Sequence, residues 1–205
     1  MKAVWGSTGS MATLNKRETQ RIGVIAEDKS DVEVITVILE KYAAKNTFEV
    51  KKFVGNGCGR LRNKCRTWTE TLLKAGCTHV LIFHDLDRNE ETKLLKTLLN
   101  KVPSKEFPNA LIVIPIEEME AWLLADEAAI TKTFALKHPL KKIPSPETVG
   151  SPKEEIGRIV WSAAKKRYLN TVHNVKIAST AKRDNLLRCT SYVKLDDYLV
   201  MKVFA

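Results

Sequence analysis

The sequence predicts an α/β protein with a mostly parallel four-stranded sheet flanked by helices, followed by a basic, helical C-terminal region. From Arg21 onward, short runs of β-branched residues alternate with amphipathic segments, which is typical of repeated strand–helix units. No apolar run reaches the roughly 18–20 residues of a transmembrane helix, and residues 1–20 lack the apolar stretch of a signal peptide. We therefore expect a globular cytoplasmic protein that does not bind membranes.

The first two strands are predicted at residues 22–26 and 48–54. An amphipathic segment with apolar side chains at helical spacing follows each of them. The apolar positions are Ile35, Ile38, Leu39 and Tyr42 after the first strand, and Leu61, Cys65, Trp68 and Leu72 after the second. These patterns predict two strand–helix units.

Two further units follow the same pattern. The third strand, 79–84, is nearly all apolar, as expected for a strand covered on both faces, and leucines at 94, 95, 98 and 99 indicate the next helix. A fourth strand is predicted at 111–116 and a fourth helix at 117–134. Trp122 lies on the apolar side of that helix and is predicted to belong to the core.

Four prolines interrupt the chain after the fourth helix, at positions 139, 144, 146 and 152. A helix with one apolar face is predicted to begin at Pro152 and to extend to Arg167, and a last helical region at 181–203. We divide the chain into a flexible leader (1–20), an α/β domain (21–136) and a basic helical region (137–205).

The positive charge is concentrated in the last of these regions. Residues 137–205 contain 14 Lys and Arg against 6 Asp and Glu, a net charge of +8, whereas residues 1–136 contribute only +2. Such asymmetry suits a protein that holds cations in one region and attracts nucleic acid with another. A solvated basic surface without a dedicated partner is the alternative.

Acidic residues follow two of the predicted strands. Glu27 comes directly after the first strand, with Asp31 one helical turn later, and Asp85 and Asp87 come after the third. In a parallel sheet the carboxyl ends of the strands meet at the crevice where ligands bind. Carboxylates gathered there suit a hard cation, although acids also begin helices for purely structural reasons.

These acids resemble the signature of the TOPRIM family. The resemblance covers roughly residues 21–126 and is carried by three segments. They are Glu-Asp-Lys-Ser-Asp at 27–31, Asp-Leu-Asp at 85–87 and Ile-Glu-Glu-Met-Glu-Ala-Trp-Leu-Leu-Ala-Asp at 116–126. The pattern is most similar to small TOPRIM-like proteins encoded beside ATPases in phage-defence loci, and more distantly to the overcoming-lysogenization-defect nucleases. Asp28 stands where many TOPRIM proteins have Gly.

The resemblance implies a TOPRIM- or Rossmann-like fold and a site for Mg²⁺ or Mn²⁺. Glu27, Asp85 and Asp87 would be the catalytic residues. The expected metal ligands are Glu27, Asp31, Asp85, Asp87, Glu117 and Glu120. Glu117 and Glu120, on one face of the fourth helix, would replace the third acid that usually follows the Asp-x-Asp pair.

Basic residues in two places are predicted to contact nucleic acid. Arg60 and Arg62 follow a Gly-rich turn, and Lys165, Lys166 and Arg167 form the densest basic cluster, for which a solvated helix face is the alternative. Arg183 is also predicted to contact nucleic acid, and Arg183 and His173 are expected to approach the acidic site from the C-terminal region. His84 is predicted to pack in the core, because strand alternation points it away from Asp85.

Two functions follow from these features. The leading hypothesis is a metal-dependent nuclease that hydrolyses phosphodiester bonds of DNA or RNA, acting in antiviral defence with a partner ATPase. The alternative is a non-catalytic TOPRIM-like subunit that binds nucleic acid or docks on an ATPase.

Overall fold

The structure of the chain is a computed structural model that describes residues 19–43 and 47–205. Residues 1–18 of the leader predicted at 1–20 lie outside the described residues. Across the described ranges, no helix has the length and apolar character needed to cross a membrane.

A parallel sheet of four strands in the order β2-β1-β3-β4 forms the centre of the protein. Its strands are β1 (Gln20–Ala26), β2 (Phe48–Val54), β3 (His79–Phe83) and β4 (Ala110–Val113). Ile22 of β1 pairs with His79 of β3, and Val80 of β3 pairs with Ala110 of β4. The predicted α/β class is confirmed, and the architecture is consistent with a Rossmann- or TOPRIM-like fold.

Helices cover both faces of the sheet. The helices of the four strand–helix units are α1 (Lys29–Leu39), α2 (Cys58–Lys74), α3 (Glu91–Lys101), α4 (Glu120–Leu124) and α5 (Glu127–Phe134). The C-terminal helices are α6 (Pro152–Ala164), α7 (Asn170–Thr180), α8 (Arg183–Leu186) and α9 (Thr190–Tyr198). A short 3₁₀ helix, Pro146–Thr148, precedes α6, and a π-helical turn, Leu199–Val203, follows α9. Helices α2 and α3 pack on one face, and α1 packs on the other with α4 to α9.

The prediction of a single helix at 117–134 is wrong, because the chain forms two helices there. Glu117 has a left-handed backbone (φ 59°) and lies before α4, so it does not share a helix face with Glu120. Asp126 then separates α4 from α5, and its side chain caps α5 by accepting the Ala129 N–H at 2.9 Å. These local features outweigh the apolar periodicity that predicted one helix.

The C-terminal helices also differ from the prediction. Helix α6 ends at Ala164, because Lys165 adopts a left-handed conformation (φ 53°), so the basic residues 165–167 follow the helix instead of lying in it. Helix α7 was not predicted, and the helical region predicted at 181–203 contains α8, α9 and the π-helical turn.

Residues 137–205 share a hydrophobic core with the sheet. Trp122 of α4 is fully buried, as predicted, with its ring edge-on to Phe83 of β3 and Tyr192 of α9. Its Nε1–H donates to Ser191 Oγ at 2.8 Å, which satisfies the buried polar atom. The C-terminal helices therefore cover the face of the sheet that carries α1 and α4.

Candidate functional site

Five carboxylates meet near the carboxyl edge of the sheet. Glu27 directly follows β1, and Asp85 and Asp87 follow β3, the neighbour of β1. Asp31 lies in the first turn of α1, and Glu120 begins α4. Each of the other four raises the pKa of Asp85 by charge repulsion, so all five lie within electrostatic range. We call these five residues the acidic cluster.

Asp85 and Glu27 are in direct contact. The Asp85 N–H donates to Glu27 Oε1 at 3.3 Å, and the Met119 N–H donates to Asp85 Oδ1 at 3.2 Å. Burial raises the pKa of Asp85 well above its usual range, and the nearby Asp31 carboxylate raises it further. Burial, then repulsion by Asp87, raises the pKa of Glu27 to about 7. Both side chains therefore favour the protonated form more than an exposed carboxyl would.

His84, the residue that follows β3, contacts Glu27. Its Nδ1 is 2.7 Å from the Asp85 carbonyl oxygen and 3.2 Å from Glu27 Oε1. A carbonyl oxygen only accepts, so Nδ1 carries the hydrogen, and burial lowers the pKa of His84 and keeps the ring neutral. Its Nε2 is buried and has no hydrogen-bond partner among the described residues. The ring is buried, as predicted, but it also orients Glu27.

Asp31 and Glu120 are held by different parts of the chain. Asp31 Oδ2 accepts the Asp28 N–H at 2.9 Å, the structural role expected of an acid in a first helical turn. Burial raises the pKa of Asp31 to about 7 despite that hydrogen bond, and Glu120 adds repulsion. Glu120 is buried, and its Oε1 accepts from Asn174 Nδ2 of α7 at 2.9 Å. One member of the cluster therefore depends on the C-terminal helices.

Asp87 lies in a turn built from left-handed residues. Its φ is 47°, that of Arg88 is 62°, and the Asp87 N–H donates to the carbonyl oxygen of Glu117 at 3.0 Å. Such angles are uncommon outside glycine and are concentrated at functional sites. The turn borders a cleft of about 200 Å³. The cleft is lined by Asp87, Arg88, Glu117, Glu118, Gly150, Ser151 and Glu154.

The chemistry of this donor set fits a hard divalent cation, although the described residues form no closed ligand cage. Among residues 19–43 and 47–205, no three His, Cys, Asp or Glu side chains are arranged to hold one ion. One oxygen each of Glu27, Asp31 and Asp85 accepts a backbone N–H. The second oxygen of each carboxylate has no hydrogen-bond partner within the described ranges, and carboxylate oxygens are the ligands that Mg²⁺ prefers.

One known protein family matches a segment of the chain that contains all of these site residues. A family model described as a domain of unknown function, DUF4276, matches residues 26–195. The chain belongs to the DUF4276 family. No curated protein and no solved structure matches the chain. The DUF4276 match begins at the last residue of β1 and ends within α9, so it includes the acidic cluster and most of the C-terminal region.

Arg60 and Arg62 of this DUF4276 protein lie in the first turns of α2, whose start adjoins the end of β1. The Gly57 N–H donates to the Glu27 carbonyl oxygen at 3.4 Å, which brings the start of α2 next to the end of β1. Gly57 has a φ of 111°, a conformation that favours glycine. The positive charge of Arg62 contributes to the lowered pKa of His84. Arg60 lies 6.0 Å from the centroid of the Trp68 ring.

The basic residues 165–167 have different surroundings from one another. The ammonium of Lys165 lies 5.8 Å from the centroid of the Trp161 ring, and both side chains are exposed. The Lys166 ammonium donates to the Phe134 carbonyl oxygen at the end of α5. Arg167 is exposed. Lys166 thus helps to anchor the segment, and Lys165 and Arg167 are the more accessible cations.

Arg183 does not approach the acidic cluster, contrary to the sequence-based expectation. Its Nε and Nη2 donate to the two oxygens of Asp196 at 2.5 and 2.6 Å, and its guanidinium lies 5.4 Å from the centroid of the Tyr42 ring. Tyr42 follows the C-terminal end of α1, whereas Asp31 lies in its first turn, and the helix from Asp31 to Leu39 alone separates the two ends by about 12 Å at 1.5 Å per residue. The bidentate pair instead joins α8 to α9.

Residues around the cluster that the sequence did not identify come from the C-terminal region. Tyr168 donates its hydroxyl to Asn174 Oδ1, and Asn174 in turn holds Glu120. The Lys153 N–H donates to Glu118 at 3.0 Å, and the charge of Lys153 acts to lower the pKa of Asp31. A polar Asn on the buried side of α7 was the available signal, but α7 itself was not predicted.

Proposed function

We propose that this protein is a divalent-metal-dependent nuclease that hydrolyses phosphodiester bonds of DNA or RNA with Mg²⁺ or Mn²⁺. The observation that carries the proposal is the acidic cluster, in which burial and mutual repulsion raise the pKa of Glu27, Asp31 and Asp85. A cluster with this repulsion gains stability from a bound cation. The order of its acids along the chain also resembles the TOPRIM signature.

Asp85 and Asp87 are the residues that we assign to metal binding, with Asp31 and Glu120 as the second group of ligands. Divalent cations bound there would lower the pKa of an attacking water and stabilise the leaving oxygen. Glu27 would accept the proton of that water, because its carboxylate contacts the Asp85 backbone and so lies beside the proposed cation. His84 would keep Glu27 oriented for this transfer.

The cleft beside Asp87 is where we place the nucleic-acid backbone. Arg88 lines the cleft together with four acids, so a phosphate would contact Arg88 there once bound divalent cations offset the negative charge. Arg60 and Arg62 at the start of α2 would contact the backbone on the other side of Glu27. Lys165 and Arg167 would extend the contact along the C-terminal region, which has the larger positive charge.

A non-catalytic TOPRIM-like subunit, which binds nucleic acid or docks on an ATPase, is the second candidate. It is favoured by the lack of a ligand cage among the described residues and by the backbone hydrogen bonds that already hold three of the carboxylates. Under this proposal the cluster would shape the surface without performing chemistry.

Cleavage assays separate the two proposals. The nuclease proposal expects the purified protein to cut single- or double-stranded DNA or RNA with Mg²⁺ or Mn²⁺, and not in EDTA. Asp87→Asn should abolish cleavage without weakening binding, because it removes a negative charge close to the phosphates. Asp197→Asn changes an exposed acid of α9 and should cut like wild type. Binding without cleavage by any divalent ion would favour the second candidate.

A further inference from the structure

Trp161 is a large aromatic side chain that packing does not explain. It lies in the last turn of α6 with 57% of its surface exposed. The described tryptophans Trp68 and Trp122 are buried in the two hydrophobic cores. An exposed aromatic face is available to a binding partner. The neighbouring Lys165 ammonium indicates that this partner carries negative charge.

Helix α6 connects Trp161 to the cleft beside the acidic cluster. Glu154, in the first turn of α6, lines that cleft. Arg158 and Trp161 follow at the i+4 and i+7 positions, so the three residues lie on one exposed face of the helix. At 1.5 Å per residue, Trp161 is about 10 Å along the helix from Glu154. That distance corresponds to roughly three nucleotides of a stacked strand at ~3.4 Å each.

Two exposed cationic residues, Lys165 and Arg167, follow Trp161 at the far end of this face. The Lys165 ammonium lies 5.8 Å from the Trp161 ring centroid, and the Lys165 N–H donates to the Trp161 carbonyl oxygen at 2.9 Å. Arg167 is exposed two residues later. An aromatic ring beside cations is the arrangement with which proteins hold single-stranded nucleic acids, since the ring stacks on a base and the cations contact phosphates.

We propose that Trp161 is a stacking platform for an unpaired base, with Lys165 and Arg167 holding the adjacent backbone, and that the nucleic acid bound along α6 is single-stranded. The proposal rests on the proposed nuclease function, whose cleft begins the same path. A duplex keeps its bases stacked inside, so it cannot present one to Trp161.

The test is the affinity of wild type and variants for labelled oligonucleotides, measured by fluorescence anisotropy in EDTA so that no cleavage occurs. The ligands are single-stranded DNA, single-stranded RNA and the matching duplex. Trp161→Ala should weaken single-strand binding by about 5- to 160-fold, the range expected for one stacked base, and leave duplex binding nearly unchanged. Trp161→Phe, which keeps an aromatic face, should recover most of the affinity. Met201→Ala removes another exposed apolar side chain and should have no effect.

Salt dependence distinguishes stacking from charge. Trp161→Ala should leave the slope of log K against log salt unchanged, whereas Lys165→Ala should reduce it by about 0.7, the value for one phosphate contact on a single strand. The platform is overturned if the Trp161→Ala protein binds single strands like wild type, or if it loses duplex and single-strand binding equally. Trp161 would then be available to a protein partner instead.

The failure of this inference is distinct from the failure of the nuclease proposal. Cleavage by a wild-type protein whose affinity does not depend on Trp161 overturns the platform alone. Trp161-dependent binding of single strands that are never cut in Mg²⁺ or Mn²⁺ overturns the nuclease alone. A wild type that binds no single strand overturns the platform directly.

Discussion

At the scale of single residues, the raised pKa values of Glu27 and Asp31 predict how stability depends on pH. Both carboxyls have a pKa of about 7 in the folded protein, against ordinary values of 4.5 and 3.8. The folded state therefore binds these protons more tightly than the unfolded chain, and the resulting stabilisation is present below about pH 4 and lost as pH rises through about 7. We expect the free energy of unfolding in EDTA to fall between pH 5 and pH 8, by on the order of 5 kcal/mol when the two groups titrate independently.

Urea denaturation across this pH range measures the effect. Asp31→Asn removes one of the titrating groups and keeps its size, so it should make the pH dependence shallower. Asp197→Asn, outside the cluster, should retain the wild-type slope. Stability that is constant or rises between pH 5 and pH 8 in the metal-free wild type would contradict the raised pKa values of these two carboxyls.

At the scale of elements, Trp122 joins α4, which begins with Glu120, to α9. It is fully buried against Phe83 and Tyr192, and its Nε1–H bonds Ser191. Trp122→Ala should therefore destabilise the protein by about 3–5 kcal/mol, because it leaves a large cavity. Trp161→Ala replaces an exposed tryptophan and should change stability by about 0.5 kcal/mol or less. Equal urea midpoints for the two variants would show that Trp122 does not hold this junction.

The elements that the sequence predicted well are those whose signal is local. The apolar runs of the four strands identified them to within a few residues. The rule that ligands bind at the carboxyl ends of parallel strands predicted that Glu27 and Asp85 lie close together. Helix α7 was missed, because its sequence, Asn-Thr-Val-His-Asn-Val-Lys-Ile-Ala-Ser-Thr, has modest helix propensity and a weak apolar pattern. Packing against α1 and α5 stabilises it.

The site residues that the sequence did not identify were missed because their contacts are between distant parts of the chain. Asn174 meets Glu120 across 54 residues of sequence, a contact that exists only once the C-terminal helices cover the sheet. The backbone turn at Glu117 likewise depends on its hydrogen bond to Asp87, 30 residues earlier. Neither contact leaves a periodic pattern in the sequence.

At the scale of the whole molecule, the net charge of +8 in residues 137–205 predicts strongly salt-dependent binding of nucleic acid. Replacing Lys165, Lys166 and Arg167 by Ala should weaken binding to every sequence alike and reduce the slope of log K against log salt. We expect a reduction of about 1.4–1.8, equivalent to two contacts at ~0.7–0.9 each, because Lys166 already donates to the Phe134 carbonyl. Titrations at several salt concentrations measure it, and an unchanged slope would exclude this segment as a backbone contact.

The most direct test of the central claim is the thermal unfolding of the protein with and without Mg²⁺ or Mn²⁺ at pH 8. If the acidic cluster binds a cation in the folded state, an ion at about 100 times its Kd should add about 2.7 kcal/mol, or roughly 5–10 °C in Tm for a chain of this length. Asp85→Asn should lose this shift, and Asp197→Asn should keep it. A wild-type Tm that does not move at millimolar Mg²⁺ or Mn²⁺, or an Asp85→Asn variant that responds like wild type, would contradict the claim that these carboxylates form a metal site.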